Sequence, residues 1–134
     1  MDEALRQFVR ERAAYHCEYC QIPQEALPWA TFHIEHIRAR QHGGSDDPEN
    51  LALACRRCNL RKGTNLSTID PETGKILPLF HPRANVWSEH FSVVDYRIVG
   101  RTDVGRATVA LLDMNDAERV QLRVELAALE QDAI

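Results

Sequence analysis

The chain of 134 residues fits a single domain, and its 44% hydrophobic and 27% charged residues exclude a disordered protein. Its formal net charge of -4 gives no whole-chain indication of a protein that binds a polyanion. No apolar run approaches the roughly 18 residues that cross a bilayer, so we expect no membrane partner. The first residues lack the basic and apolar regions of a signal peptide, which predicts a cytoplasmic location.

Hydrophobic patterning predicts a helix and two strands in the first half of the chain. Apolar residues at near-helical spacing predict an amphipathic helix over residues 2–16, and the prolines of 22–28 predict a loop after it. Alternation of apolar and polar residues from Phe32 to Glu35 predicts a short strand. The apolar run 51–54 is expected to form a second strand, antiparallel to the first, across the turn-rich loop 41–50.

The second half is expected to contain a helix, a turn, strands and a closing helix. A short helix is predicted over residues 57–62, ended by Gly63, and a turn over 70–74. Residues 91–109 are expected to be strand or hairpin material around two glycines, and 117–129 a helix. The N-cap of that last helix is predicted to be Asn115 or Asp116. Without an internal repeat or a flexible linker, these elements favour one compact α+β unit.

Four cysteines form two Cys-x2-Cys pairs, Cys17–Cys20 and Cys55–Cys58, with 34 residues between them. Disulfides are not expected in a cytoplasmic protein, because cytosolic thiols are kept reduced. Two such pairs supply the four thiolates of one tetrahedral zinc, whose binding would contribute folding energy to a small domain. The alternatives are two redox pairs or four buried free thiols. Since no thioredoxin-like pattern of strand and helix surrounds either pair, we predict structural zinc.

A series of motifs lies between and after the cysteine pairs. In chain order they are Phe32-His33-Ile34-Glu35-His36-Ile37, Gly43-Gly44, Asn50-Leu51 and Cys55-x-x-Cys58-Asn59-x-x-Lys62. Their joint order and spacing resemble the HNH endonucleases. The resemblance implies a ββα-metal core, in which a β-hairpin and a helix hold one divalent ion and a four-cysteine zinc site braces the fold.

The resemblance also divides the chain into two parts. It implies a core over about residues 15–66 and a C-terminal extension over about 67–134, within a single domain 1–134. The extension resembles the one carried by a bacterial subgroup of the family, on the segments Asp70-Pro71-Glu72-Thr73-Gly74, Leu79-Phe80-His81-Pro82-Arg83 and Trp87-Ser88-Glu89-His90-Phe91. The resemblance leaves the role of this extension open.

Physical chemistry assigns roles to the residues that match the family's motifs. Hydrolysis of a phosphodiester needs an activated water, and a neutral imidazole suits that task near pH 7, so His36 is the predicted general base. Oxygen ligands suit Mg²⁺ or Mn²⁺, and Glu35 and Asn59 are the predicted ligands of this catalytic ion. Two departures from the family's pattern bear on metal preference. Asn59 stands in place of a His, and Glu35 in place of the commoner Asp.

Other residues near these motifs have supporting roles. Asn50 is expected to brace the loop and orient His36, the role that the resemblance implies for it. His33 is predicted to share a strand face with Glu35, where it is either a third metal ligand, a phosphate contact or a structural hydrogen-bonding residue. Basic residues around the site are the predicted DNA contacts: Lys62, Arg61, Arg38 and Arg40.

The favoured hypothesis is an endonuclease that hydrolyses DNA phosphodiester bonds without a small-molecule cofactor. The alternatives are a non-catalytic, zinc-stabilised module that binds nucleic acid or protein, and a thiol redox protein. Charge is unevenly distributed along the chain, since residues 36–62 carry six basic and three acidic residues, whereas 67–134 carry seven and eleven. So modest a basic patch predicts weak, salt-sensitive DNA binding near the site.

Overall fold

Five α-helices, three short 3₁₀ helices and three two-stranded antiparallel sheets are present in residues 1–132, the part of the chain that this computed structural model describes. The α-helices are α1 (Glu3–Arg12), α2 (Arg56–Lys62), α3 (Trp87–His90), α4 (Asp103–Leu112) and α5 (Ala117–Asp132). The strands are β1 (His33–His36), β2 (Leu51–Ala54), β3 (Ser67–Ile69), β4 (Ile76–Pro78), β5 (Phe91–Val94) and β6 (Arg97–Gly100), paired as three hairpins. Among these residues, no helix is long and apolar enough to cross a membrane. The mixture of helices and small sheets confirms the predicted α+β class.

The first hairpin and the helix after it form the ββα arrangement that the motifs predicted. β1 and β2 pair in antiparallel register, with Glu35 opposite Ala52, and every residue of β2 is buried. α2 begins directly after its N-cap Cys55 and ends before Gly63, as predicted. Both cysteine pairs therefore lie next to the hairpin, one before β1 and one at the start of α2.

The N-terminal helix is shorter than its hydrophobic pattern predicted. Asp2 caps α1 by accepting the Leu5 N–H at 2.8 Å, so the start of the helix follows the usual preference for a short acidic side chain. The helix ends at Arg12, because Ala14 and Tyr15 adopt positive φ angles of 50° and 58°. These two residues turn the chain toward the first cysteine pair.

The prediction of strand material over residues 101–109 is wrong, because α4 occupies most of this segment. Thr102 caps the helix by accepting the Gly105 N–H at 3.0 Å. The two glycines serve close packing instead of a strand turn. A Cβ on Gly105 would lie 2.1 Å from the His90 carbonyl oxygen, and one on Gly100 would lie 2.3 Å from the Arg106 nitrogen.

The closing helix and the preceding hairpin agree with the sequence pattern. β5 and β6 form the hairpin expected before Gly100, and α5 begins at Ala117 as predicted. Of the two candidate N-caps for α5, the side chain of Asp116 accepts the Arg119 N–H at 3.0 Å. The side chain of Asn115 is bound instead to the backbone of Ile98.

The extension packs on the same hydrophobic core as the ββα unit. Phe80 and Phe91 belong to the buried cluster that also contains β2 and Tyr19, and the Phe80 and Tyr19 rings meet edge to face. The Trp87 indole N–H donates to the Tyr19 carbonyl oxygen at 2.7 Å. Arg83 forms an ion pair with Glu18 beside this cluster. These contacts join the extension to the ββα unit.

A fully buried carboxylate joins the second hairpin to α4. Asp70 accepts the Glu72 N–H at 3.1 Å and the Thr73 hydroxyl at 3.0 Å in the β3–β4 turn. Its Oδ2 also accepts from the Arg106 guanidinium at 3.0 Å. The hydrogen bond from Arg106 holds the pKa of Asp70 below its ordinary value of 3.8.

Because this pKa is lower in the folded state, the Asp70 contribution to stability is present above the unfolded pKa and is lost as pH falls through the folded one. We expect Asp70→Asn to be less stable than wild type at pH 6 and to lose less stability than wild type between pH 5 and pH 2.5. Urea unfolding across this range measures the difference. Asp95→Asn, in an exposed turn, is the control, and parallel pH curves for wild type and Asp70→Asn would contradict the expectation.

Candidate metal centre and active site

The four cysteines come together as one buried cluster. Their Sγ atoms all lie within 4.8 Å of one another, and none of the four forms a disulfide. Four sulfur atoms bound tetrahedrally at about 2.3 Å from a zinc ion lie about 3.8 Å apart. The Cys20 and Cys55 Sγ atoms are 3.8 Å apart. The cluster therefore has the ligand set and the spacing of a structural zinc site.

Neighbouring donors suit a cluster of thiolates. The Cys20 N–H lies 3.5 Å from the Cys17 Sγ, and the Cys58 N–H lies 3.4 Å from the Cys55 Sγ. The Arg119 guanidinium of α5 donates to the Cys55 Sγ at 3.7 Å. Burial raises the pKa of the Cys17 thiol well above its ordinary value, so a fully deprotonated cluster requires a bound cation.

β1 places the Glu35 carboxylate in the interior, where only 5% of the residue is exposed. The Tyr19 hydroxyl donates to Oε1, and the Lys62 ammonium lies 3.3 Å from Oε2. Burial raises the pKa of Glu35, and the charge of Lys62 opposes that shift. Each carboxylate oxygen has a second lone pair, so these partners leave Glu35 able to accept one further ligand.

The structure corrects the predicted role of Lys62. This side chain is buried, with 1% of the residue exposed, and its ammonium donates to the Ile37 carbonyl oxygen at 2.9 Å in addition to its ion pair with Glu35. A lysine whose charge is enclosed in this way cannot contact a phosphate on the surface. It neutralises Glu35 and ties α2 to the end of β1.

Three of the four predicted site residues Glu35, His36, Asn50 and Asn59 line one open cavity. Glu35 and His36 reach it from β1, and Asn59 reaches it from α2. The cavity has a volume of about 370 Å³ and also borders Arg40 and Gly63. The register of the hairpin and the position of α2 thus bring a carboxylate, an imidazole and a carboxamide to the same opening.

His36 has a partner that the sequence analysis missed. Its Nε2 lies 2.7 Å from Oδ1 of Asp46, and the Arg40 guanidinium donates to the same oxygen at 2.8 Å. The hydrogen bond from His36 lowers the pKa of Asp46 from its ordinary value, and Arg40 adds to this effect. The sequence does show two acidic residues, Asp46 and Asp47, shortly after Gly43-Gly44 in this loop. Their spacing from His36 does not tell which of the two contacts the imidazole.

Asn50 forms hydrogen bonds across the loop between the two strands. Its Oδ1 accepts the Arg38 N–H at 2.9 Å, and its Nδ2 donates to the carbonyl oxygens of Arg38 and Ser45 at 3.0 and 2.8 Å. The loop passes so close to this amide that a Cβ on Gly44 would lie 1.7 Å from the Arg38 carbonyl oxygen. Asn50 acts on the backbone and lies outside the cavity that His36 lines.

The remaining residues predicted to bind metal or DNA, His33 and three arginines, do not all line the His36 cavity. His33 is exposed and borders a neighbouring groove with Asn59, apart from Glu35 and His36. Arg61 is tied to α4 through its Nε, which donates to the Leu111 carbonyl oxygen at 3.1 Å. Arg38 and Arg40 follow β1, where Arg38 is exposed and Arg40 borders the cavity.

Comparison with known proteins gives a family match for the segment that contains this site. Residues 17–65 match the model of the HNH endonuclease family, so this segment carries an HNH endonuclease domain and the predicted resemblance is confirmed. Among curated proteins, the chain is similar to the Septu protein PtuB of Bacillus thuringiensis, with 32% identity over 71 residues. The similarity covers 53% of this chain and 25% of PtuB, so the chain spans about a quarter of the length of that relative. No solved structure matches the chain significantly.

We expect the purified protein to contain one zinc per chain, and Cys20→Ser to lose the metal and unfold at a lower temperature. A structural zinc contributes its binding energy to folding, so the loss of one thiolate weakens both. Elemental analysis and thermal unfolding measure the two effects. His16→Ala is the control, because His16 adjoins the first pair without belonging to the cluster. Wild-type protein without zinc and with four thiols that titrate freely would contradict the assignment.

Proposed function

We propose that this protein is a metal-dependent endonuclease that hydrolyses phosphodiester bonds in DNA. The observation that carries the proposal is the shared cavity of Glu35, His36 and Asn59 within a matched HNH segment. A non-catalytic module has no need for an imidazole beside two oxygen ligands at one opening. Cysteines held as a metal-ligand cluster also favour the reducing environment of the cytoplasm, where we place the protein.

His36 acts as the general base in this proposal. When its Nε2 carries the proton and donates to Asp46, its Nδ1 is the nitrogen that accepts a proton from the attacking water. The Asp46 carboxylate then fixes the imidazole orientation and stabilises the imidazolium that forms. Arg40, bound to the same carboxylate oxygen, keeps Asp46 ionised.

Glu35 and Asn59 are the proposed ligands of a catalytic Mg²⁺ or Mn²⁺. Two protein ligands with oxygen donors fit such an ion, which keeps several waters in its shell. When bound, the ion stabilises the charge of the transition state and assists the departing 3′ oxygen. The charge of Lys62 favours the ionised form of the buried Glu35 carboxylate, and the Tyr19 hydroxyl fixes its orientation.

The basic residues at the surface are the proposed phosphate contacts. Arg38 is exposed directly after β1, and Arg40 borders the cavity itself. Arg61 keeps the ends of its guanidinium available while its Nε is bound to α4. Arg61 lines a neighbouring groove that shares Asn59 with the His36 cavity, so a DNA backbone that contacts Arg40 and Arg61 would lie close to the proposed base.

A second candidate function is a zinc-stabilised module that binds nucleic acid or protein without catalysis. The observation in its favour is that both oxygens of Glu35 already have partners within the protein, Tyr19 and Lys62. A carboxylate satisfied in this way stabilises the hairpin whether or not a divalent ion binds. The catalytic test below separates the two candidates.

We expect wild-type protein to nick supercoiled plasmid with Mg²⁺ or Mn²⁺, and His36→Ala to lose at least about a hundredfold in rate, the lower range for a general base. Agarose gels resolve the supercoiled and nicked forms. The control is His42→Ala, an exposed histidine of the same loop. Zinc content should be the same in all three proteins. Absence of nicking by wild type with Mg²⁺, Mn²⁺, Ni²⁺ and Co²⁺ would favour the non-catalytic module.

Asp46→Ala should lower the nicking rate about tenfold or more, since the substitution removes a charged hydrogen-bond partner of His36. The distinguishing measurement is the double variant. In a protein that already carries His36→Ala, the Asp46 substitution should cause no further loss, because both residues act through one imidazole. Asp46→Glu should recover part of the rate. Equal losses from Asp46→Ala in both backgrounds would show that Asp46 acts on the loop rather than on His36.

A further inference from the structure

A second and larger opening lies beside the His36 cavity. This opening, called here the arginine groove, has a volume of about 1020 Å³ between α2, the start of α5 and the loop before β1. Its lining includes Trp29, His33, Arg56, Leu60 and Arg61. Asn59 lines both the groove and the His36 cavity, so the two openings adjoin at this proposed metal ligand.

Trp29 is the least buried large side chain at this place, with 80% of the residue exposed. The loop that carries it is nevertheless firmly held. Gln24 donates from Nε2 to the carbonyl oxygens of Leu27 and Ala30 at 3.1 and 2.7 Å, and its Oε1 accepts the Phe32 N–H at 3.2 Å. A fixed backbone thus presents an indole to solvent, and the apolar side chain of Leu60, 64% exposed, lines the same groove.

The arginines of the groove differ in whether their charge is free to bind a ligand. Arg57 is paired with Asp113 and Asp116, at 2.6 and 3.6 Å, and Arg119 donates to the Cys55 thiol. Within the described part of the chain, Arg56 has no ion pair or side-chain hydrogen bond, and it is exposed.

The one carboxylate of the lining not used in such a pair is Glu118, at the α5 rim. A polyanion would therefore lie on the α2 side of the groove, along Arg56 and Arg61 and away from Glu118. This side also carries Leu60 and faces the shared residue Asn59.

We propose that the arginine groove binds an unpaired stretch of a nucleic-acid strand, with one base stacked on Trp29 and the backbone along Arg56 and Arg61. Aromatic faces beside a basic groove bind single strands in this way, since every base has a face that stacks. A base paired within a duplex is stacked on its neighbours and is not available to an indole. The inference rests on the proposed nuclease function and narrows its substrate to DNA that contains a single-stranded segment next to the cleaved bond.

The test is direct binding of a fluorescein-labelled single strand of thymidines and of a matched duplex, measured by anisotropy without added divalent ion. The protein carries His36→Ala, so that the DNA stays intact. We expect Trp29→Ala to weaken single-strand binding about 5- to 150-fold, the range that stacking of one base accounts for. Trp29→Phe should retain most of the affinity, and duplex binding should change less than about twofold.

Two further variants make the experiment specific. Ile76→Ala removes a side chain of similar exposure, 75%, on β4 and outside the groove, and should leave both affinities unchanged. Arg56→Gln should lower the slope of log affinity against log salt for the single strand by about 0.7, the value for one released counterion. Unchanged zinc content in each variant establishes that the fold is retained.

Unchanged single-strand affinity in Trp29→Ala would overturn the proposal and would favour a protein partner as the occupant of the groove. Equal losses for single strand and duplex would overturn it as well. The outcome is independent of catalysis, because binding is measured with a protein that lacks the proposed base. Trp29-dependent binding together with a wild type that nicks nothing would support the groove and contradict the nuclease.

Discussion

The convergence of four buried cysteines on one point is the constraint on which the rest of this fold depends. The four Sγ atoms are drawn from two segments that lie far apart in the chain, and they meet within 4.8 Å. Thiolates at such distances repel one another, and burial favours their neutral form, so a bound cation would stabilise the arrangement. The cluster joins the turn before β1 to the start of α2. The hairpin between them is thereby closed into a ββα unit, which is held together without a long helix or a large sheet.

The extension completes this unit by supplying partners that the first half lacks. Arg119 of α5 donates to a sulfur of the cluster, and Trp87 and Phe80 cover Tyr19. Tyr19 lies between the first two cysteines and donates its hydroxyl to Glu35. One side chain therefore contacts the hydrophobic core, adjoins the thiolate cluster and holds the carboxylate of the candidate site. The acidic composition of the extension does not prevent this packing, because charges such as Asp70 and Asp113 are paired with arginines.

The sequence was most informative where chemistry depends on short spacing. The pattern of each feature lies within a few neighbouring residues: the two Cys-x2-Cys pairs, the alternating residues of β1 and the glycine after α2. The structure agrees with each of these expectations. Lys62 shows why other assignments failed. A lysine is ordinarily exposed, and its burial depends on a carboxylate 27 positions away that only the folded hairpin brings within reach. Similarly, Gly100 and Gly105 suggest turns within strand material, whereas in the structure they allow β6, α4 and the His90 carbonyl oxygen to pack closely.

Within the loop between the strands, the number of residues is as constrained as their identity. Asn50 holds the backbone at Arg38 and at Ser45, and Gly44 leaves no room for a side chain beside the Arg38 carbonyl oxygen. The same loop delivers Asp46 to the imidazole of His36. An inserted or deleted residue between positions 38 and 50 would shift Asp46 off its partner even if every named side chain were kept. The interval between His36 and Asn50 thus works as a fixed length, and related chains that share these residues at a different interval must close this loop by other contacts.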